Sequence, residues 1–310
     1  MRVSMSEEHM NCLQPAEDKK LNREPMPMTE EEKDLIEKKI RAFADSAAPL
    51  DPHTEEERLV FKIGDGKTVG GCIVNVHAWG RAVLAVLWVD GQHRGHGLGS
   101  MLLRAAENAA RERDCYYLCL STEDYMARPF YEKHGYRVFT VHNDLPPGHT
   151  CWSLSKRLDK AAPDYIPTDN TGERRYQIKP GSKEDAAYIR EEFNRFCVEV
   201  VPDRHEYIRL NKKLTDETGG LIAAAVAGIY GDDTAVLPGI WVDERYRGRG
   251  IGSYLLGEIE REAKEKGAYV ILSYACDWAS GFFFKNGFVS CGGLEDYPRG
   301  HTAHELEKRL

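Results

Sequence analysis

At 310 residues, 42% hydrophobic and 30% charged, the chain is long enough for two globular domains and apolar enough to bury a core in each. A formal net charge of −8 and a pI near 5.8 speak against nucleic acid as a partner and suit a cationic one. The eight cysteines show no C-x-x-C pairing, no run approaches a membrane span, and Met1 to Asn22 is too polar for a signal peptide; the reading is a cytoplasmic protein with reduced thiols, no metal and no membrane partner.

Residues 1–28 are polar and carry Pro25 and Pro27, the pattern of a flexible N-terminal arm. Thr29 and Glu32 form a capping box, opening a helix that sets Leu35, Ile36, Ile40 and Phe43 toward a core. Strand-like runs follow at Leu59 to Ile63, Val69 to His77 and Ala82 to Val89, with Asp65-Gly66 and Trp79-Gly80 where hairpin turns belong. Next comes Arg94-Gly95-His96-Gly97-Leu98-Gly99, running into a helix with Leu98, Leu102, Ala106 and Ala109 at helical spacing. A strand from Cys115 to Leu120, a short helix from Arg128 to His134 closed by Gly135, and strands near 136–142 and 149–155 complete a first unit, residues 29–158.

Pro163, Pro167 and Gly172 mark 159–175 as a linker. The order then restarts as a second unit, 176–310. Tyr176 to Lys179 is strand-like, and Ser182 opens a helix with Ile189, Phe193 and Phe196 on one face. Leu221 to Tyr230 and Ala235 to Val242 lead into Arg247-Gly248-Arg249-Gly250-Ile251-Gly252 and a helix bearing Leu255, Ile259 and Ala263. Ala268 to Tyr274 is again a strand, followed by a short helix before Gly287. Trp88 and Arg94 recur 153 residues on as Trp241 and Arg247, whereas Phe130, Gly135 and Gly148-His149-Thr150 recur 152 residues on as Phe282, Gly287 and Gly300-His301-Thr302. One deletion separates two otherwise parallel copies, so the chain is an internal repeat.

A strand, a glycine turn and a helix make a phosphate-binding geometry: glycine lets the backbone approach, and the unsatisfied amides of a helix start point at an anion. Neither copy is followed by Gly-Lys-Ser/Thr, and neither matches G-x-G-x-x-G in a dinucleotide-binding context. The pattern R-x-x-G-x-G before a helix resembles the pyrophosphate loop of the GNAT superfamily of N-acetyltransferases. The resemblance implies an α/β fold of two tandem GNAT-like domains, each a mixed, mostly antiparallel sheet flanked by helices. It implies acetyl-CoA as acyl donor, held at Arg94, Gly95, His96, Gly97, Leu98 and Gly99 and at Arg247, Gly248, Arg249, Gly250, Ile251 and Gly252.

In that family a backbone amide at the end of the strand before the loop donates to the thioester oxygen, here at Leu87, Trp88 or Val89. The proton for the departing thiolate comes from a tyrosine in a Tyr-Glu-Lys-x-Gly-aromatic context, matched by Tyr131-Glu132-Lys133-His134-Gly135-Tyr136. Asp124 stands where the family often has an asparagine, and no pantetheine contact is assigned to it. The amine's own proton needs a base, and His77, Asp90, Glu123 and His149 all fall at strand ends or loops near the cleft; the sequence does not choose among them. In the second copy Phe283 falls at the position of Tyr131 and Cys276 at that of Asp124. The first domain is therefore expected to be catalytic and the second degenerate, unless Tyr274 or Tyr297 replaces the lost hydroxyl. The reading is an N-acetyltransferase acting on a small primary amine or a basic peptide, folded as a monomer with a pseudo-dimeric domain arrangement. The alternative is a non-catalytic acyl-CoA-binding or regulatory protein, which has no need of the Tyr131 hydroxyl.

Overall fold

The computed structural model describes residues 24–49, 57–64, 67–160 and 176–310; the Asp65-Gly66 turn and nearly all of the expected linker and arm lie outside them. Through the first repeat the elements are β1 (Met26–Pro27), α1 (Glu30–Ala47), β2 (Glu57–Ile63), β3 (Gly70–His77), β4 (Arg81–Val89), α2 (Leu98–Arg111), β5 (Tyr117–Glu123), α3 (Arg128–Lys133), β6 (Arg137–Asn143) and β7 (Thr150–Arg157). Through the second they are β8 (Ile178–Pro180), α4 (Lys183–Val200), β9 (Ile208–Arg209), β10 (Lys212–Thr215), β11 (Leu221–Ile229), β12 (Thr234–Val242), α5 (Ile251–Glu265), β13 (Val270–Cys276), α6 (Asp277–Lys285), β14 (Val289–Glu295) and β15 (Thr302–Arg309).

The strands join into one sheet in the order β1-β10-β11-β12-β13-β15-β14-β6-β7-β5-β4-β3-β2-β8, with β9 on β11. Pairing is antiparallel except for β4 with β5 and β12 with β13, which a helix crossover forces to be parallel. This is a mixed, mostly antiparallel α/β architecture in two copies. The amphipathic helices supply the cores. Leu98, Leu102, Leu103 and Ala106 of α2 are buried with Cys72, Val74 and Leu84, and Ile251, Leu255, Leu256 and Ile259 of α5 with Ala223, Ala225 and Leu237. Each leucine or isoleucine so buried contributes about 1.5–3 kcal/mol of hydrophobic stabilisation.

The sequence expects the capped helices, and both caps form: Thr29 and Ser182 each close a capping box. What those helices cover is exchanged between the copies. α1 lies on β11 and β12, with Ile36 fully buried against Ala224 and Val226, and β1 pairs with β10. Conversely, α4 lies on β2, β3 and β4, with Ile189 fully buried against Ile73, Val86 and Trp88, and β8 pairs with β2. The receiving sheets are shaped for this. A side chain on Gly239 would come within 2.5 Å of Ile40, and one on Gly71 within 2.2 Å of Ile189. Ion pairs fix the exchange, Lys62–Asp185 at 2.8 Å on one side and Lys213–Glu32 on the other. Of the expected core face of α1, Ile36 and Ile40 are inside; Leu35 (47% exposed) and Phe43 (43%) are not, because the helix meets only two strands.

The two sheets meet at β6 and β14 through the single register pair Thr140↔Gly292. Behind it Tyr116, Tyr117 and Cys119 pack on Cys276, Leu294 and Tyr297. The buried phenol groups find carbonyls across the seam: Tyr117 donates to Glu295 at 3.0 Å and Tyr297 to Ala78 at 3.0 Å. Among the described residues no helix is long and apolar enough to cross a membrane.

Candidate active site

The two glycine loops take the same conformation. Asp90 caps a 3-10 turn by accepting from the Gln92 amide at 2.9 Å, and Asp243 caps its counterpart by accepting from Arg245 at 3.1 Å. Arg94 and Arg247 then run extended and donate from Nε to the last strand carbonyls, Val89 and Val242, both at 3.0 Å. Gly97 (φ 80°) and Gly250 (φ 77°) sit at the N-caps in the left-handed region, where an L side chain is strained. No side chain caps either helix. The first helical bonds are Met101 N–H to the Gly97 carbonyl and Tyr254 N–H to that of Gly250, so the amides of Leu98, Gly99 and Ser100, and of Ile251, Gly252 and Ser253, remain for an anion. The exchanged helices touch both loops: Phe196 of α4 lies 5.8 Å from the Arg94 guanidinium, and Phe43 of α1 5.3 Å from that of Arg247.

Each loop follows a fork in the sheet. β4 pairs with β5 only through Arg81, Ala82 and Val83, and β12 with β13 only from Thr234 to Leu237. Beyond those points the strands part, leaving Leu87, Trp88 and Val89 on an arm that has no partner on the β5 side. Leu87 and Val89 pack toward α2 and Trp88 toward α4.

Tyr131 lies on α3, its ring against Phe130 and Tyr136 and 9% exposed. Burial pushes its hydroxyl well above the usual phenol range, with Cys72 and Glu123 adding to the effect, so it stays protonated at neutral pH. A residue the sequence did not single out holds this helix. His134 Nδ1 donates to the Phe130 carbonyl at 2.8 Å, so in the neutral ring Nε2 accepts from Ser100 Oγ at 2.9 Å, tying α3 to the first turn of α2. Asn286 makes the equivalent bond to Phe282 in the second copy, at 2.7 Å.

The four candidate bases separate. Asp90 is committed to its cap and to His93, 3.1 Å away. His149 pairs with Asp124 at 2.7 Å. His77 lines a cavity that belongs to the second copy. Glu123 ends β5 on the arm of the fork facing β4; burial raises its carboxyl above the ordinary glutamate range even though the Cys151 thiol hydrogen-bonds to it. Its charge is felt at Tyr131, Tyr125 and Cys197, so these groups share one neighbourhood.

In the second copy a cavity of about 980 Å³ opens at the loop. It is lined by Arg247, Gly248 and Gly250, by Phe283 and Tyr274, by Phe43 and Asp45 of α1, and by Trp79 and Arg81 of the first copy. Phe283 is buried where Tyr131 would stand. Asp277, not Cys276, is the counterpart of Asp124. It pairs with His301 at 3.0 Å and accepts from the Thr302 amide, as Asp124 does with His149 and Thr150. The deletion therefore falls after Asp277, inside the short helix, and Cys276 replaces Glu123. Arg81 crosses the seam to this cavity, donating from Nη1 to the Tyr274 hydroxyl at 3.3 Å between the rings of Tyr274 and Tyr297.

A family model described as "Acetyltransferase (GNAT) family" matches residues 19–136 and again 173–288. A blasticidin-S acetyltransferase of Streptomyces morookaense is 40% identical over 94 residues, 30% of this chain and 68% of that protein. Of solved structures, an acetyltransferase from Bacillus cereus ATCC 14579 is similar at 31% identity and a TM-score of 0.41, over 43% of this chain and 97% of its own. The ribosomal-protein-S18-alanine N-acetyltransferase of Escherichia coli is similar at 20% identity and a TM-score of 0.31, over 43% and 79%.

Proposed function

The chain belongs to the acetyltransferase (GNAT) family, and from that membership we propose that it moves an acetyl group from acetyl-CoA directly to a primary amine at the first loop, with Tyr131 as general acid. The observation that carries this is the convergence, in one copy, of an uncapped glycine loop, an open strand fork and a buried, protonated tyrosine. A pure acyl-CoA binder has no use for that hydroxyl.

Acetyl-CoA supplies an activated acyl carbon and a thiolate leaving group. The loop amides at Leu98 to Ser100 hold the pyrophosphate, and an amide of the Leu87–Val89 arm donates to the thioester oxygen as it gains charge. Glu123 takes the proton of the attacking amine. Tyr131 donates a hydrogen bond to the sulfur as the carbon–sulfur bond breaks and the bond's electron pair leaves with the thiolate. Since burial raises the phenol far above a thiol's usual 8.5, Tyr131 acts by a hydrogen bond that strengthens as the thiolate forms, not by handing over its proton early.

A small amine is the acceptor we favour over a basic peptide, in line with the name of the Streptomyces relative. We also infer a cytoplasmic monomer whose copies stand as a pseudo-dimer, an inference supported by the exchanged helices and by the free state of the described cysteines. The 980 Å³ cavity favours a second reading for the other copy: it too holds acyl-CoA, and Tyr274, at the fork and hydrogen-bonded by Arg81, supplies the hydroxyl that Phe283 lacks. A thiol-release assay of the purified protein with acetyl-CoA and a panel of aminoglycosides, polyamines, amino acids and lysine peptides tests the proposal. Failure to bind CoA or acetyl-CoA at millimolar concentration by calorimetry refutes it.

A further inference from the structure

Four side chains converge where the sheets meet. His142 on β6 is 5% exposed. Its Nδ1 lies 2.9 Å from Glu307 Oε2, and its Nε2 3.2 Å from Glu305 Oε2, both on β15. Cys291 on β14 completes the group: one ligand atom each of His142, Cys291 and Glu307 lie within 4.8 Å of one another. Cys291 is there because of a β-bulge. The β14–β15 register slips between Ser290 and Gly292, leaving Cys291 as the extra residue, and bulges re-aim side chains in this way.

We propose that His142, Cys291 and Glu307 bind a divalent cation of the zinc class, with Glu305 as the carboxylate behind the imidazole. Zinc bonds sulfur at about 2.3 Å and nitrogen or oxygen at about 2.0–2.2 Å, so at tetrahedral angles ligand atoms on one ion lie roughly 3.3–3.7 Å apart. The three atoms lie within 4.8 Å of one another, with His142 Nδ1 2.9 Å from Glu307 Oε2, so small side-chain adjustments bring them onto one ion. Thiolate and imidazole in one set select zinc-like ions over magnesium or calcium, which take oxygen. A ligating histidine almost always donates its other N–H to a carboxylate, and Glu305 stands at Nε2, itself held by Ser153 Oγ at 2.9 Å. The set leaves a fourth tetrahedral position for water.

Sequence spacing reads no metal here because the ligands come from residues 142, 291 and 307, on three strands of two copies. Those strands flank the one register pair that joins the sheets, so a bound ion would clamp the copies together. The proposal is independent of acetyl transfer, and neither depends on the other's outcome.

The test is a cobalt titration of the chelator-treated, full-length protein. The expected result is one equivalent bound, with a sulfur-to-cobalt band in the near ultraviolet and the intense visible absorption of a tetrahedral site, both reversed by zinc. Cys291→Ser should abolish the near-ultraviolet band. Glu305→Gln keeps all three ligands and should weaken binding roughly 10–100-fold. No thiolate band in the wild type, or an unchanged band in Cys291→Ser, overturns the proposal. If Cys291→Ser does not fold, alkylation of the native protein decides: zinc should block iodoacetamide at Cys291 while Cys197, also partly exposed, still reacts. Equal labelling of Cys291 with and without zinc overturns it.

Discussion

In the proposed mechanism Tyr131 and Glu123 divide the work of proton transfer, and burial changes the chemistry of both in the same direction but with opposite use. A buried phenol is a more secure donor; a buried carboxylate is a stronger base. Tyr131→Phe should lower kcat by about 10²–10⁴-fold, the usual yield of general acid catalysis, while the affinity for acetyl-CoA barely moves. Glu123 must be ionised to act. Because its folded pKa is raised above 4.5, kcat/KM should fall as pH is lowered through a limb lying above that of an ordinary glutamate, and Glu123→Gln should remove the limb with most of the rate. A pH profile that keeps the limb in Glu123→Gln sinks the assignment. The role proposed for Tyr131 comes from a local motif that the sequence displays. Glu123 was only one of four, since the burial that favours it depends on its pairing with β7, which the sequence alone does not give. His134 was hidden inside the Tyr131 motif, its role visible only once Ser100 lies beside it.

At the scale of elements, most strands and helices followed from period and punctuation, and the glycine loops from the repeat. Two things did not. Counting residues with the later offset matched Cys276 to Asp124; only the shared bond to the loop histidine identifies Asp277. The destinations of α1 and α4 were also out of reach, because a 3.6-residue period says that a face will be buried and not which sheet will bury it. The loops make a separable prediction. Gly97→Trp, forced into a left-handed conformation above the pyrophosphate site, should weaken acetyl-CoA binding and turnover together. Gly250→Trp should leave turnover at the first site nearly unchanged and remove one equivalent of calorimetric binding if the second cavity also holds acyl-CoA. Loss of all activity in a folded Gly250→Trp, with full activity in Tyr131→Phe, would reverse the roles of the two copies.

For the whole molecule the exchange of helices decides what counts as a unit. The segment 29–158 carries the first loop and Tyr131 in chain order, but it lacks β8 and α4, leaving the β2 edge open and Ile73, Val86 and Trp88 uncovered. It also carries α1 with nothing to cover, since Ala224 and Val226 are absent. The segment 57–200 drops α1 and gains β8 and α4, restoring Ile189 over Gly71 and the Lys62–Asp185 pair. Both segments expose Tyr116 and Tyr117 at the seam, so that cost cancels in the comparison. Losing a fully buried isoleucine costs about 2–5 kcal/mol, a large share of a domain's net stability of about 5–15 kcal/mol. Segment 57–200 should therefore unfold cooperatively in a thermal melt and bind acetyl-CoA through the Arg94 loop with Phe196 beside it, whereas 29–158 should not. A cooperative melt for 29–158 with none for 57–200 would mean that the helices stabilise the copies in chain order, and that the exchange is not what holds the molecule together.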